Sequence, residues 1–229
     1  MSHFRFYKTI VRLLMITVIC YGCNEKPLTD IDGNIYKTVI IGNQEWMAQN
    51  LKTTRYNDGM EIPYIHNIKD WSRLNTPGYC WFDNEKDPYK GHFGGLYNWY
   101  AVNSDKLCPA GWRVPGEEDW KKLAEYLGGE IPAGGKLKDT DRKYWVRPNA
   151  GATNETGFSA QAGGYRSVAG TFGYRGFDGY WWTVTESRED RAISFHLSYN
   201  FSNLGRQNNN KNAGLSVRCI KEKMSAQTR

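Results

Sequence analysis

Histidine and carboxylate side chains, which carry most metal and acid–base chemistry in proteins, are scattered along this chain. His66, His92 and His196 lie far apart, and none belongs to a His-Glu-x-x-His pattern that would place two ligands on one helix face. Hydrolysis by acid–base chemistry needs two carboxylates that converge on one bond. The candidates Glu186 and Glu189-Asp190 lie in a polar segment, where we expect them to be solvated. The sequence therefore predicts no catalytic residue and no metal-ligand set.

Aromatic and amide side chains near the C-terminus give the strongest signal for recognition. Aromatic rings offer large contact areas at a small cost in entropy, and asparagines offer adaptable hydrogen bonds. We predict a ligand-binding face made of Tyr180, Trp181, Trp182, Tyr199, Asn200, Asn203, Arg206, Asn208, Asn209 and Asn210. The alternative is that Trp181 and Trp182 alternate between the core and the surface of one strand, since neighbours in a strand face opposite ways. Residues 205–213 would then be a solvated turn.

The elements that must position this face are mostly short strands. Residues 36–41 and 44–47 flank the turn signal Gly42-Asn43, which predicts a β-hairpin. Apolar and aromatic runs predict further strands at 79–82, 157–160, 163–166, 180–185, 192–197 and 215–220.

Two short helices are predicted ahead of most of these strands. The first is an apolar stripe of about two turns that begins at Leu96 and includes Trp99 and Tyr100. The second has the i, i+3, i+4, i+7 spacing of one helix face, at Trp120, Leu123, Ala124 and Leu127. Pro115 and an acidic first turn precede it, and Gly128-Gly129 ends it. Strands that outnumber early, segregated helices indicate the α+β class.

The first 22 residues have the pattern of an export signal. Arg5, Lys8 and Arg12 precede the apolar run 13–20, which is far shorter than the roughly 20 residues that a membrane-spanning helix needs. Gly22-Cys23 then resembles the core of a bacterial lipobox, in which the cysteine is acylated; an ordinary cleaved signal is the alternative. We predict a signal peptide at 1–22, lipid attachment at Cys23, a polar tether at 23–31, one domain at 32–222 and a tail at 223–229.

The charge of the chain gives no sign of a nucleic-acid partner. The full sequence has 30 basic and 24 acidic residues, and removal of the signal leaves 27 and 24. The apparent basicity therefore comes in large part from the signal, and no run rich in lysine or arginine follows it. We expect no interaction with nucleic acid.

Cysteine usage also favours an exported protein. Three cysteines follow Cys23, and an oxidising exterior favours pairing two of them. The sequence does not fix the connectivity. We favour a bridge between Cys108 and Cys219, which would tie the last apolar run to the domain centre and leave Cys80 buried and free.

Eight segments resemble the Fibrobacter succinogenes major paralogous domain, in the order and at the spacing of that family. They are Thr29-Asp-Ile-Asp-Gly-Asn-Ile-Tyr-Lys-Thr-Val, Gln44-Glu-Trp-Met-Ala-Gln-Asn-Leu-Lys-Thr, Gly95-Leu-Tyr-Asn-Trp-Tyr-Ala-Val, Cys108-Pro-Ala-Gly-Trp-Arg-Val-Pro, Gly157-Phe-Ser-Ala, Gly163-Gly-Tyr-Arg, Trp181-Trp-Thr and Ser216-Val-Arg-Cys. The resemblance implies a C-type-lectin-like fold related to the formylglycine-generating enzyme domain. In that fold the terminal strands pair, and long irregular loops form the ligand face.

The resemblance also bears on two activities of the wider fold. The formylglycine-generating branch holds copper with two cysteines near the C-terminal end, where this chain has only Cys219. Calcium-dependent sugar binders carry a Glu-Pro-Asn or Gln-Pro-Asp loop and a Trp-Asn-Asp strand, and this sequence has none of these motifs. We therefore expect no catalytic cofactor. A structural calcium ion is still compatible with the sequence, because asparagine and aspartate oxygens could bind it. Residues 199–213 resemble the stretch that varies in retroelement-diversified members.

Three functional hypotheses remain. The favoured one is a non-catalytic ligand-binding or adhesion domain, anchored to a membrane by its lipid, with a protein or glycan ligand. The first alternative is a structural subunit of a cell-envelope assembly, in which the same residues would be buried against another subunit. A divergent enzyme is the second. The predicted location is the cell envelope, as an outer-membrane lipoprotein, with the periplasmic or cell-surface orientation left open.

Overall fold

The computed structural model of the protein describes residues 27–84 and 92–222. The predicted signal peptide, the lipid-attachment residue Cys23 and the tail at 223–229 lie outside the described residues. Within the two described ranges, no helix has the length and apolar character needed to cross a membrane. Residues 28–31 belong to the predicted tether, but Leu28–Thr29 pairs with Ile35–Tyr36 and Asp30 is buried, so the packed structure begins before residue 32.

Short strands and a few helices give an α+β architecture. The strands of the described residues are β1 Leu28–Thr29, β2 Ile35–Tyr36, β3 Thr38–Ile41, β4 Gln44–Met47, β5 Tyr79–Cys80, β6 Leu96–Tyr97, β7 Trp112–Arg113, β8 Tyr165–Arg166, β9 Phe172–Gly173, β10 Asp178–Arg188, β11 Arg191–Ser198, β12 Gly205–Asn210 and β13 Ile220–Lys221. The α-helices are α1 Ile68–Ser72, α2 Trp99–Val102, α3 Glu117–Tyr126 and α4 Glu130–Leu137. Only α2 and α3 were predicted, so the expectation of two helices is wrong.

One antiparallel sheet joins the two ends of the domain. Its strand order is β3-β4-β13-β7, and Ile220 of β13 pairs with Trp46 on one side and Arg113 on the other. The predicted hairpin is confirmed, with Ile41 opposite Gln44. Gly42 in its turn has φ +61°, a conformation that side chains with a Cβ rarely adopt.

The second main sheet, with order β10-β11-β12, carries core residues on both faces of β10. Trp181 packs towards α3, where its ring lies 6.2 Å from that of Trp120. Trp182 points the other way, into a cluster that includes Trp99 of α2. Both tryptophans are 0 % exposed, so the prediction that they lie on a ligand-binding face is wrong. Their side chains do alternate, but helices and loops cover each face.

A buried hydrogen-bond network connects several of the motifs that carry the family resemblance. The Arg218 guanidinium is fully buried and donates to Asn50 Oδ1 at 3.0 Å, to the Ser159 carbonyl at 3.2 Å and to the Phe158 carbonyl. Asn50 Oδ1 also accepts the Trp181 indole N–H at 2.8 Å. Burial lowers the pKa of Arg218 to about 9. These motif residues therefore build the core.

The disulfide expected from the cysteine pattern is confirmed. Cys108 and Cys219 are bonded across 111 residues of sequence, with Cα atoms 6.1 Å apart. Cys80 is a free, buried cysteine, also as predicted, and burial raises the pKa of its thiol to about 12. The bridge links the segment before β7 to the residue that directly precedes β13, so the disulfide joins the segments that lead into these two paired strands.

Candidate ligand-binding site

A cleft of about 360 Å³ lies beside one face of the β10–β12 sheet. We name it the aromatic–amide cleft, and its lining residues are Tyr165, Ser167, Val168, Tyr180, Arg191, Gln207, Asn209, Asn210, Ala213 and Leu215. The strand register shows which side chains of the sheet face the cleft. Tyr180 lies opposite His196, and Asn209 lies opposite Ala192, so these side chains share one face of the sheet.

A row of aromatic rings in contact with one another forms the aromatic side of the cleft. The ring of Tyr165 lies 5.7 Å from that of Tyr174 and 5.5 Å from that of Tyr180, which in turn stacks on His196 at 5.6 Å. Tyr174, at the outer end of the row, is 56 % exposed. The Tyr180 hydroxyl donates to Asp178 Oδ2 at 3.0 Å, and burial together with Asp178 raises the pKa of that hydroxyl. Tyr180 therefore stays protonated and is held in place.

Amide groups of β12 form the polar side. The Asn209 side-chain nitrogen donates to Ser194 Oγ at 2.7 Å and reaches Gln207 Oε1 at 3.4 Å. Among the residues that the structure describes, the Gln207 amide nitrogen and the Asn209 amide oxygen have no hydrogen-bond partner. One free donor and one free acceptor therefore sit side by side next to the tyrosine rings, an arrangement suited to a polar ligand with flat apolar surfaces.

The predicted face is divided by the structure. Tyr180, Asn209 and Asn210 line the cleft, whereas Trp181 and Trp182 lie in the core. The alternative reading of 205–213 as a solvated turn is also wrong, because residues 205–210 form β12 and pair with β11. Alternation along β12 places Gln207 and Asn209 on the cleft side and Arg206 and Asn208 on the other side, and Asn210, the last residue of the strand, also lines the cleft.

The other predicted residues lie away from the cleft. Arg206 points to the opposite side of β12 and pairs with Glu117 at 2.7 Å. Asn208 pairs with Ile193 of β11 and is on the same side of β12 as Arg206, where its side chain is exposed. Tyr199 packs edge-on against Phe177 at 5.2 Å between ring centres. Asn200 and Asn203 lie in the loop that precedes β12, and neither lines the cleft.

Several lining residues were missed from the sequence. Gln207 belongs to the same polar run as the predicted asparagines, and strand alternation from Asn209 would have identified it. Tyr165 lies in the Gly163-Gly-Tyr-Arg motif, which was noted only for its resemblance. Ala213 and Leu215 form the apolar floor and come from the segment before β13. No local pattern links that segment to Tyr165, although the chain brings them together through the Arg166–Gly214 bridge.

One titratable side chain beside the cleft is His196. His196 packs between Tyr180 and Gly205, and burial lowers the pKa of its imidazole, so the ring is neutral at neutral pH. Within the described ranges, no three histidine, cysteine or acidic side chains gather as a metal site would require. Ring faces and paired amides are the groups that the cleft offers to a ligand.

Fold and cleft together define an α+β domain with a preformed pocket of aromatic and amide side chains. The chain belongs to the family described as the Fibrobacter succinogenes major domain, whose profile matches residues 39–221. That range runs from β3 to β13 and includes the buried network, the disulfide and the whole cleft. No curated protein and no solved structure matches the chain.

Proposed function

We propose that this protein is an exported lipoprotein that binds a ligand in the aromatic–amide cleft and does not act on it chemically. The observation that carries the proposal is the row of tyrosine rings beside the Gln207 amide nitrogen and the Asn209 amide oxygen, which have no hydrogen-bond partner within the described residues. Such a surface gives contact area and adaptable hydrogen bonds without a positioned acid, base or nucleophile. The cleft volume of about 360 Å³ is in the range typical of small-ligand sites.

We further propose that the domain has a C-type-lectin-like fold. Three features support this assignment: the pairing of β13 with the N-terminal β4, the Cys108–Cys219 bridge, and the long stretch between α4 and β10, which is mostly loop apart from the short strands β8 and β9. The cleft lies next to the β10–β12 sheet and takes one wall from those loops. This placement agrees with a ligand face built by irregular loops on a rigid scaffold.

Of the two ligand classes considered, a glycan fits the cleft better than a protein segment. Amide groups both donate and accept hydrogen bonds, as sugar hydroxyls do, and the rings of Tyr165 and Tyr180, which line the cleft, can cover the apolar side of a sugar ring. Arg191 and Ser167 add further polar groups at the rim. A protein ligand with exposed polar side chains is the second candidate.

A binding array tests the cleft directly. We expect the purified protein to bind a subset of glycans, and the Gln207→Ala/Asn209→Ala variant to bind them at least tenfold more weakly, because two hydrogen-bonding side chains are lost. The matched control is Asn208→Ala, on the same strand but the opposite side, which should bind like the native protein. Fluorescence binding titrations with the selected glycans give the dissociation constants.

The outcome of the array separates the hypotheses. If the protein bound only surface proteins, and the double variant lost this binding, the ligand would be a protein and not a glycan. Equal loss in the Asn208→Ala variant would remove the cleft from the proposal. No binding to either class would favour the structural-subunit alternative, and crosslinking in native membranes would then be expected to capture partner subunits.

The membrane anchor needs its own experiment. The proposal of lipidation rests on the basic and apolar pattern of residues 5–20 and on Gly22-Cys23. We expect Cys23→Ala to move the protein from the membrane fraction to a soluble fraction and to abolish labelling by a radioactive fatty acid. Cys20→Ala, three residues earlier in the signal, should leave both properties unchanged. A Cys23→Ala protein that stays in the membrane without label would disprove this anchor.

A further inference from the structure

A second pocket lies in the loop that connects α4 to β8. Its volume is about 670 Å³, and its lining residues are Thr140, Arg142, Trp145, Arg147, Pro148, Asn149 and Ala152. We name it the arginine pocket. It shares no lining residue with the aromatic–amide cleft, so the inference below is independent of the proposed function.

Hydrogen bonds to the surrounding structure fix the backbone of this loop. The Trp145 indole donates to the Ala160 carbonyl at 2.8 Å, and the side chain is 2 % exposed. The Val146 N–H donates to Gly176 at 2.9 Å, and the Ala150 N–H to Tyr199 at 2.7 Å. A loop anchored at these points presents its outward side chains from a preformed frame, which lowers the entropic cost of binding.

The outward side chains include two arginines with no acidic partner. Arg142 and Arg147 are exposed, and within the described residues neither forms a salt bridge. The nearest acidic side chains along the loop have other partners: Asp141 pairs with Lys143 at 3.2 Å, and Asp139 accepts the Asp141 N–H at 2.9 Å. Residues 138–149 carry four basic and two acidic side chains. The pocket is therefore positively charged.

A buried lysine adds to this charge from behind the loop. The Lys138 ammonium donates to the carbonyls of Ala150, Ser198 and Phe201 at 2.8–2.9 Å and has no carboxylate partner in the described part of the chain. Burial lowers its pKa to about 8, so most molecules retain the charge at neutral pH. The bond to Ala150 also holds the loop next to Asn149.

Asn149 offers the pocket a different group. Its backbone is left-handed, with φ +47°, and its side-chain nitrogen donates to the Asp139 carbonyl at 2.9 Å. The side-chain oxygen is buried and has no donor within the described residues. A buried acceptor without a partner costs free energy, which a ligand hydroxyl could recover.

We propose that the arginine pocket binds a hydroxylated carboxylate, of which a uronic acid sugar is the representative class. Guanidinium groups bind carboxylates through paired, charge-assisted hydrogen bonds, and Arg142 and Arg147 present two of them to one pocket. A hydroxyl of the same ligand would donate to Asn149 Oδ1. A neutral sugar satisfies only the second requirement, and an inorganic oxyanion satisfies only the first.

Calorimetric titration with D-glucuronate, D-glucose and inorganic sulfate tests whether the arginine pocket binds a hydroxylated carboxylate. D-glucuronate should bind the native protein at least tenfold more tightly than D-glucose, and this affinity should fall as salt is raised. Arg142→Gln and Arg147→Gln should each weaken glucuronate binding about tenfold, and the double variant about a hundredfold. Arg188→Gln, an exposed arginine of β10 outside both pockets, is the matched control and should bind like the native protein.

Two further measurements keep the test decisive. Because both arginines are exposed, the melting temperature of the double variant should equal that of the native protein, which excludes loss of folding as a cause. Asn149→Gly, which tolerates the left-handed backbone, should weaken glucuronate binding but leave the affinity for inorganic sulfate unchanged. Equal affinity for glucuronate and glucose, or for glucuronate and sulfate, would overturn the proposal, as would full binding by the double variant.

Discussion

Replacing Trp182 with alanine is expected to lower the free energy of unfolding by about 4 kcal/mol, the range found for large aromatic residues in protein cores. The side chain is fully buried in the cluster that contains Tyr97 and Trp99, and its indole N–H donates to the Tyr97 carbonyl at 2.8 Å. The substitution removes this bond and leaves a large cavity beside the sheet. Chemical denaturation followed by circular dichroism gives the free energy directly.

Two control variants separate the core role of Trp182 from a role in binding. Trp182→Phe keeps an aromatic ring but loses the N–H donor, and we expect a smaller loss of about 2 kcal/mol. Asn208→Ala, at an exposed position of β12 in the same sheet, should change stability by less than about 0.5 kcal/mol. If the Trp182→Ala protein had native stability but no longer bound the ligand, Trp182 would contribute to ligand binding and not to the stability of the core.

Local sequence patterns correctly predicted the elements whose pattern fits only one type of secondary structure. The 3.6-residue stripe of α3 and the Gly42-Asn43 turn of the first hairpin both appear at the predicted places. At α3, Trp120, Leu123 and Ala124 are all buried. The Asp119 carboxylate accepts the Gly116 N–H at 2.8 Å, so the acidic first turn also serves as a cap.

Burial on both sides of β10 could not be predicted from the same pattern. Adjacent tryptophans in a strand face opposite ways, and sequence alone does not tell whether one face is open to solvent. Here α2 and α3 approach β10 from opposite sides, and the two rings join separate core clusters. The alternation was right, but the inferred exposure was wrong.

Helix α4 was missed because its sequence opposes helix formation. It contains Pro132, Gly134 and Gly135 within eight residues, and proline and glycine are the weakest helix formers. Tertiary contacts explain the glycines. A Cβ on Gly135 would lie 2.2 Å from the Gly151 carbonyl oxygen, and one on Gly134 would lie 2.5 Å from the Ser202 carbonyl oxygen. The helix forms where only residues without side chains fit between these two loops.

The candidate site was predictable only where it follows one strand. Asn209 and Asn210 were identified from the amide run of β12, and strand alternation from Asn209 places Asn208 on the other side, whereas Asn210 lines the cleft from the end of the strand. The opposite wall comes from Tyr165 and Leu215, which are 50 positions apart in sequence and meet only in the folded domain. Tyr165 lies in a family motif, but the motifs do not distinguish such a wall residue from Arg218 and Asn50, which lie in the core.

Removing the disulfide should have an effect as large as that of the core substitution. The Cys108–Cys219 bridge spans 111 residues, and on the loop-entropy model a closed loop of that length stabilises the folded state by about 4–5 kcal/mol. We therefore expect the Cys108→Ala/Cys219→Ala variant to unfold at a much lower denaturant concentration. The native protein treated with a thiol reductant should approach the same midpoint.

Cys80→Ala is the matched control, because it removes a buried cysteine that forms no bridge. We expect it to cost about 1 kcal/mol and to keep the response to reductant, which the double variant should lose. The bridge also helps to position one lining residue of the cleft. Leu215 is four residues before Cys219, and its backbone N–H donates to the Tyr97 carbonyl at 3.0 Å. Partial reduction should therefore weaken ligand binding before the domain unfolds. Native binding and stability in a protein shown by mass spectrometry to have free Cys108 and Cys219 would contradict this coupling.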